Sequence, residues 1–281
     1  MKNALVFQSD FGIADGAVSA MYGVAYSVDK TLQLFDLTHE IPQYNIWEAS
    51  YRLIQTVVYW PEGSVFVSVV DPGVGSNRKS IGVKTAKGQY IITPDNGTLT
   101  HIKRMCGIVE AREIDETINR LPISGASYTF HGRDIYAYTG ARLASDTIDM
   151  DGVGPKMELD EVVQLELFGC KEIENGVMGQ VDILDVRFGS LWTSIPYEEF
   201  KKCGFEFGDT VLVTIYNRDK IAYTGQIVYG RSFADVPVSS PIIYMNSAYH
   251  IAVAINQGSF AKAYGIGVGS DWKITMQKIA K

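Results

Sequence analysis

The residues best suited to chemistry begin with Asp71, which is followed seven positions later by Arg78. Asp71 ends a valine-rich run over residues 65–71, and such a run is typical of a strand buried on both faces of a sheet. Pro72 and Gly73 then turn the chain. Because open α/β sheets bind ligands at the carboxyl ends of their strands, this combination of acid, turn and arginine predicts a ligand site.

His131 has the most suggestive surroundings of the four histidines. It lies in the glycine-flanked segment FHGRD, where it could exchange protons near neutral pH or serve a structural role. The surroundings of His39, in DLTHE, and of His250, in a β-like run, favour structural roles. The four histidines lack the HxxxH or HExxH spacing of a metal site, so we expect no metal.

Several acidic and aromatic residues allow two interpretations. Asp10 and Asp15 flank the junction of the first strand and first helix, where they could shape a turn and cap the helix, or bind ribose hydroxyls. Asp185 could form a turn or, with aromatic neighbours, hold a heteroaromatic cation. The choice between a structural role and a ligand contact is equally open for further residues: Phe188, Trp192, Tyr44, Trp47, residues 246–247 and residues 256–259.

Composition and motif tests argue against several classes of protein. The segment GVGSNRKS has Arg78 where a phosphate loop needs glycine, and it leads into a strand-like run instead of a helix. A net charge of −7 argues against a nucleic-acid or anionic-membrane partner. No segment approaches the ~18 apolar residues of a membrane span, and the first apolar run is too short for a signal peptide. Three widely spaced cysteines predict neither disulfides nor a metal site and fit a cytoplasmic location.

Alternating strand-like and helix-like segments predict an α/β amino-terminal domain with a mainly parallel sheet flanked by helices. Beyond it, short runs rich in Val, Ile and Tyr predict an all-β, barrel-like domain. We expect domains over residues 1–165 and 176–281, with a linker over about 166–175. The first domain's predicted elements are strands 4–7, 32–37 and 65–71, helices 16–28 and 46–60, a hairpin over 81–93, a helix through Cys106 and a helical segment after Phe130. The second domain's predicted strands cover residues 179–185, 191–195, 210–216, 221–229, 242–245, 250–255 and 272–277.

Seven motifs, taken in their order and spacing, resemble one family. They are SDFGIAD at 9–15, DLTHEIPQYNI at 36–46, VDPGVGSNRKS at 70–80, PDNG at 94–97, TFHGRDI at 129–135, DVRFGSLWTSI at 185–195 and NSAYHIAVAINQGS at 246–259. Together they are similar to the S-adenosyl-L-methionine hydrolases, or S-adenosyl-L-methionine hydroxide adenosyltransferases, which are relatives of the fluorinase and chlorinase. The resemblance covers nearly the whole chain. It implies an α/β domain followed by a β-barrel, no cofactor beside the substrate, and a homotrimer with the ligand between one subunit's first domain and its neighbour's second.

The resemblance also implies roles for individual residues. Asp71, Arg78 and His131 match the family's catalytic set, and the halogenases carry tyrosine in place of Asp71, which favours water over halide as the nucleophile. Asp10 would hold the ribose hydroxyls. Ser190 stands where the family more often has asparagine. The other implied contacts are Asp15, Asp185 and Ser247 to the methionine part, Tyr44, Phe188, Trp192 and Phe233 along the ribose and adenine walls, and Asn256 and Gln257 at the adenine edge.

The implied reaction is in-line attack of water or hydroxide on the ribose C5′, which yields adenosine and L-methionine. Because the leaving group is a neutral thioether, only the proton of the water must be managed. His131 is the natural base, Asp71 can orient it or the water, and Arg78 can stabilise hydroxide. Two other functions remain open: a halide-dependent adenosyl transfer, and binding of an adenosyl ligand without turnover.

Overall fold

The computed structural model of the protein describes residues 3–125 and 127–279. Its contacts divide the chain after Leu165 into two compact units. The predicted fold class is confirmed, because the first unit is an α/β domain and the second is a β-barrel. Within the described ranges, no helix has the length and apolar character needed to cross a membrane.

The first unit is built on one mixed sheet. Its strands are β1 (Leu5–Ser9), β2 (Leu34–Thr38), β3 (Val65–Val69), β4 (Ser80–Thr85), β5 (Tyr90–Pro94) and β6 (Ile108–Glu113). The strand order is β2-β1-β3-β5-β4-β6, with β2, β1, β3 and β5 parallel and β4 antiparallel to both of its neighbours. The antiparallel β4–β5 pairing matches the predicted hairpin, whereas β6 was not predicted.

Helices cover both faces of this sheet because the side chains of each strand alternate between the faces. Leu5 and Phe7 pack against α1 and α5, and Val6 packs on the opposite side with α2 and α3. The second helix ends at Val57, three residues before the predicted end. The helical segments are α1 (Ala17–Val28), α2 (Ile46–Val57), α3 (Thr100–Met105), α4 (Glu116–Asn119), a π-helical turn (Gly132–Ala137), α5 (Tyr138–Ala144) and α6 (Met150–Val153).

The strand order brings two distant loops together. From β1 the chain passes to β2 on one side and then returns through α2 to β3 on the other side. The order therefore reverses at β1, and the carboxyl ends of β1 and β3 meet at the same edge of the sheet. Crevices at such reversal points are where open α/β sheets bind ligands.

The second unit is a closed barrel of seven strands. These are β8 (Gly176–Leu184), β9 (Leu191–Pro196), β10 (Thr210–Asn217), β11 (Lys220–Tyr229), β12 (Pro241–Met245), β13 (His250–Ile255) and β14 (Trp272–Lys278). Pairing of β14 with β8 closes the barrel around buried side chains such as Val181, Ile215 and Val253. Four short elements of this unit were not predicted. They are β7 (Lys171–Ile173), which lies in the expected linker and pairs with β8, the helices α7 (Tyr197–Lys202) and α8 (Phe260–Tyr264), and a 3-10 turn (Phe233–Asp235).

Candidate active site

A cavity of about 370 Å³ opens at the carboxyl edge of β1 and β3. Its walls include Phe11, Gln43 and Phe130, which the sequence analysis did not select. The loop after β1 contributes Asp10 and Phe11 to the wall, and the loop after β3 contributes Asp71 and Val74, because these two neighbouring strands end at the same edge of the sheet. Predicted site residues that line the cavity are Asp10, Asp15, Tyr44, Asp71 and His131.

Arg78 contacts both Asp71 and His131, which line this cavity, whereas Arg78 itself lies behind them and does not line it. Arg78 Nε donates to Asp71 Oδ1 at 2.7 Å, and Arg78 Nη2 donates to Asp71 Oδ2 in a second close contact. Arg78 Nη2 also lies 3.3 Å from His131 Nδ1. The side chains of Asp71 and Arg78 are only 6% and 11% exposed, so their two-pronged ion pair is shielded from water.

The surroundings of His131 favour its neutral form. Burial is the main cause that lowers its pKa, and the cations Arg78 and Arg120 lower it further, whereas Glu116 and Asp71 raise it. Arg120 Nη2 lies 3.5 Å from His131 Nε2, so a guanidinium faces each ring nitrogen. A neutral imidazole can accept a proton, which is what a general base requires.

Local backbone structure holds His131 in place. The residue directly precedes the π-helical turn, a rare conformation that often occurs at functional sites. A Cβ atom at Gly132 would lie 3.0 Å from the Phe11 ring and 3.3 Å from the Phe130 ring. Glycine at this position therefore lets the loop after β1 approach the histidine closely.

Asp10 and Asp15 combine structural contacts with positions in the cavity wall. Asp10 Oδ2 accepts a hydrogen bond from the Tyr44 backbone N–H at 2.8 Å, and this holds Tyr44 at a φ of 65° with its side chain 69% exposed. Asp15 Oδ1 accepts from Ala17 N–H at 2.9 Å at the start of α1. The turn interpretation and the ligand interpretation of these acids are thus compatible.

His39 joins a chain of polar groups that runs from the buried Ser9 to the exposed Asp36, and it does not line this cavity. Its Nδ1 lies 2.6 Å from Ser9 Oγ, and its Nε2 lies 3.0 Å from Asp36 Oδ1, which also accepts from Tyr22. Ser9 Oγ accepts in turn from Phe11 N–H at 3.3 Å. Because Ser9 is fully buried, this serine, histidine and aspartate brace the end of β1 and do not form an accessible nucleophile.

The barrel carries a second cavity of about 730 Å³. At its edge, Asp185 Oδ1 accepts from the backbone N–H groups of Arg187 and Phe188, so it shapes the turn that presents the Phe188 ring, which is 69% exposed. Trp192 and Ser247 do not line this cavity, whereas Tyr244, which was not predicted, does. Predicted site residues in its wall are Asp185, Phe188, Ser190, Phe233, Asn256 and Gln257.

Across the part of the chain that the structure describes, no group of three His, Cys, Asp or Glu side chains is arranged to hold a metal. The buried His101 illustrates a structural histidine, since burial, followed by Arg104, lowers its pKa to about 4. Its Nδ1 contacts Ser50 Oγ at 2.9 Å, away from both cavities.

Sequence reasoning missed the residues behind the Asp71–Arg78 pair and behind His131. Ser80 closes the motif that begins at Val70, and Tyr136 directly follows TFHGRDI, so proximity to these motifs was an available signal. Arg120 and Tyr244 lie in no motif. Only the folded chain brings them to the two sites.

Comparison with known proteins places the chain among adenosyl-transferring enzymes. Residues 5–154 match the SAM hydroxide adenosyltransferase N-terminal domain, and residues 179–273 match the C-terminal domain of the same family. The chain is 35% identical over 221 residues to the (R)-S-adenosyl-L-methionine hydrolase of Methanocaldococcus jannaschii, covering 77% of this chain and 75% of that protein. It is 30% identical to the enzyme of the same name from Salinispora arenicola, covering 96% of each chain.

More distant relatives and a solved structure agree with this placement. The fluorinase of Actinopolyspora mzabensis is 25% identical, with 96% of each chain covered. The crystal structure of an uncharacterized conserved protein from Thermotoga maritima superposes with a TM-score of 0.87 at 29% identity, covering 98% of this chain and 100% of that one. Both domain matches, in the expected order, show that the chain belongs to the SAM hydroxide adenosyltransferase family.

Proposed function

We propose that the protein hydrolyses S-adenosyl-L-methionine to adenosine and L-methionine. The observation that carries this proposal is that Arg78 contacts both Asp71 and His131, two residues that line one cavity. The family membership and the hydrolase relatives support the same reaction. An acid at position 71, where the halogenases resembling this chain carry tyrosine, favours water as the nucleophile.

In this proposal His131 takes the proton of the attacking water. Its lowered pKa keeps the imidazole neutral near pH 7, so it is ready to accept. Arg78 stays protonated and stabilises the hydroxide that develops, while its ion pair with Asp71 fixes the guanidinium in place. The departing sulfur becomes a neutral thioether and needs no acid. Positioning the water in line with the C5′–sulfur bond can lower the barrier by about 7–11 kcal/mol.

Substrate contacts are proposed for both cavities. Asp10 would accept hydrogen bonds from the ribose hydroxyls with the oxygen that Tyr44 leaves available. The exposed rings of Tyr44 and Phe188 are suited to stacking on flat, apolar parts of the ligand. The remaining proposed contacts from the cavity walls are Asp15 and Asp185 to the methionine part, Phe233 along the walls, and Ser190, Asn256 and Gln257 near the adenine edge. The resemblance also implies Ser247 for the methionine part and Trp192 for the walls, although neither residue lines either cavity.

We also propose that the enzyme works without a metal or cofactor, as a homotrimer with active sites at subunit interfaces, and in the cytoplasm. The free cysteines Cys106, Cys170 and Cys203 are compatible with a reducing compartment. The mass of the assembly in solution tests the trimer, and activity in the presence of a chelator tests metal independence.

The central experiment supplies the purified protein with each sulfonium epimer of S-adenosyl-L-methionine and a chelator, and follows adenosine and methionine. We expect turnover of the (R) epimer, for which the similar hydrolases are named. His131→Ala and Asp71→Asn should lose turnover and retain much of the ligand binding measured by calorimetry. Parental rates in both variants would refute the proposed site.

The same assay separates the alternatives. Because the chain is also similar to a fluorinase, parallel reactions contain fluoride or chloride and test for halide-dependent adenosyl transfer. A 5′-halo-5′-deoxyadenosine product would replace the hydrolase proposal with a transferase. Tight binding with no product of either kind would instead identify an adenosyl-ligand binding protein.

A further inference from the structure

A closed ring of hydrogen-bonding side chains lies behind the Asp71–Arg78 pair. Arg78 Nη1 donates to Ser80 Oγ at 2.9 Å. Ser80 Oγ lies 3.0 Å from Tyr136 Oη, and Tyr136 Oη lies 3.4 Å from Asp71 Oδ2. The ion pair between Asp71 and Arg78 completes the ring.

The charges at the two ends set the direction of every hydrogen bond in this ring. A guanidinium can only donate and an ionised carboxylate can only accept. The Ser80 hydroxyl, which accepts from Arg78, must therefore donate its hydrogen bond to Tyr136 Oη, and the Tyr136 hydroxyl must donate to Asp71 Oδ2. Burial and then the nearby Asp71 raise the pKa of Tyr136 far above its usual range, so the phenol keeps its hydrogen. Ser80 is 4% exposed and Tyr136 is fully buried, which limits competition from water.

We propose that Tyr136 and Ser80 are positioning residues that hold the Asp71 carboxylate and the Arg78 guanidinium in one orientation toward the cavity. The inference rests on the proposed hydrolase function. The terminal torsion of an aspartate is broad and has no sharp minimum of its own. Two hydrogen bonds from Arg78 and a third from Tyr136 confine it. Neither hydroxyl residue lines the cavity, so their effect on the reaction passes through Asp71 and Arg78.

Tyr136→Phe tests the inference because it removes one hydroxyl and keeps the buried ring. We expect kcat to fall about 2- to 10-fold, the equivalent of one ordinary hydrogen bond, with KM close to the parental value. Ser80→Ala should act in the same direction. Tyr138→Phe is the matched control on the following helix, where the ring lies against Arg142, and it should keep the parental kcat.

A double-variant cycle supplies a readout that does not need turnover. The change in the free energy of urea unfolding in the double variant Tyr136→Phe/Asp71→Asn should differ from the sum of the changes in the two single variants, because residues in contact are energetically coupled. Additive effects, or a parental kcat in Tyr136→Phe, would overturn the positioning role and leave the hydrolase proposal standing. If the parental protein forms no product, the proposed function fails, and the coupling alone decides whether Tyr136 orients Asp71.

Discussion

The charges around His131 allow a prediction with opposite signs for two neighbouring residues. Arg120 Nη2 lies 3.5 Å from His131 Nε2, and the same nitrogen donates to Glu116 Oε2 at 2.7 Å. On the other side of the ring stand Arg78 and Asp71. Arg120→Gln removes a cation and should raise the pKa of His131. Glu116→Gln removes an anion and should lower it.

The size of the change follows from the distance. Two unit charges 3.5 Å apart interact by roughly 1.2 kcal/mol in a water-like dielectric and by roughly 4.7 kcal/mol at an effective dielectric constant of 20. The lower figure applies here because Glu116 is 39% exposed and partly neutralises the Arg120 charge. At 1.36 kcal/mol for each pKa unit, Arg120→Gln should raise the pKa of His131 by about one unit, and Glu116→Gln should shift it in the opposite direction.

A pH profile of kcat/KM measures this change in the free enzyme. Activity needs neutral His131 and is lost as the pH falls through its pKa, so the acidic limb should move to higher pH in Arg120→Gln and to lower pH in Glu116→Gln. The double variant should return close to the parental profile. Imidazole NMR titration, with the His131 signal assigned by its loss in His131→Asn, provides a check without substrate. Shifts of the same sign in both single variants would refute the electrostatic reasoning.

Two further predictions use matched substitutions. Gly140→Ala should destabilise the protein by about 1–3 kcal/mol in urea unfolding, because the added Cβ would lie 2.4 Å from Val67 Cγ2. The control Gly23→Ala places its Cβ in open space at an exposed helix position and should stabilise the protein by up to about 1 kcal/mol. Equal effects of the two variants would contradict the packing argument. Phe188→Ala should weaken ligand binding about tenfold in calorimetry and leave stability nearly unchanged, because Phe188 is 69% exposed. The control Tyr59→Ala removes a ring that is 82% exposed and outside both cavities, and it should change neither binding nor stability. Unchanged binding in Phe188→Ala would remove Phe188 from the proposed site.

Much of the fold could be predicted because local patterns dominate it. The buried β3 strand is a continuous apolar run, the amphipathic α2 helix has a clear period, and the barrel strands are separated by turn residues. The elements that were missed are short or lack such a pattern. The helix α8 has five residues, and β7 has three, so neither contains enough turns or alternations to be recognised.

The sequence by itself determined which residues have the right chemistry and that Asp71 follows a buried strand and precedes a turn and an arginine, although the strand ends at Val69, two residues before the predicted end. Only the tertiary structure decided which of them meet. The reversal of strand order at β1 joins the loops of Asp10 and Asp71, and the π-helical turn brings His131 to Arg78. Contacts between residues distant in the chain depend on strand order and packing, which local spacing does not encode. The hydrogen-bond ring through Tyr136 arises in the same way.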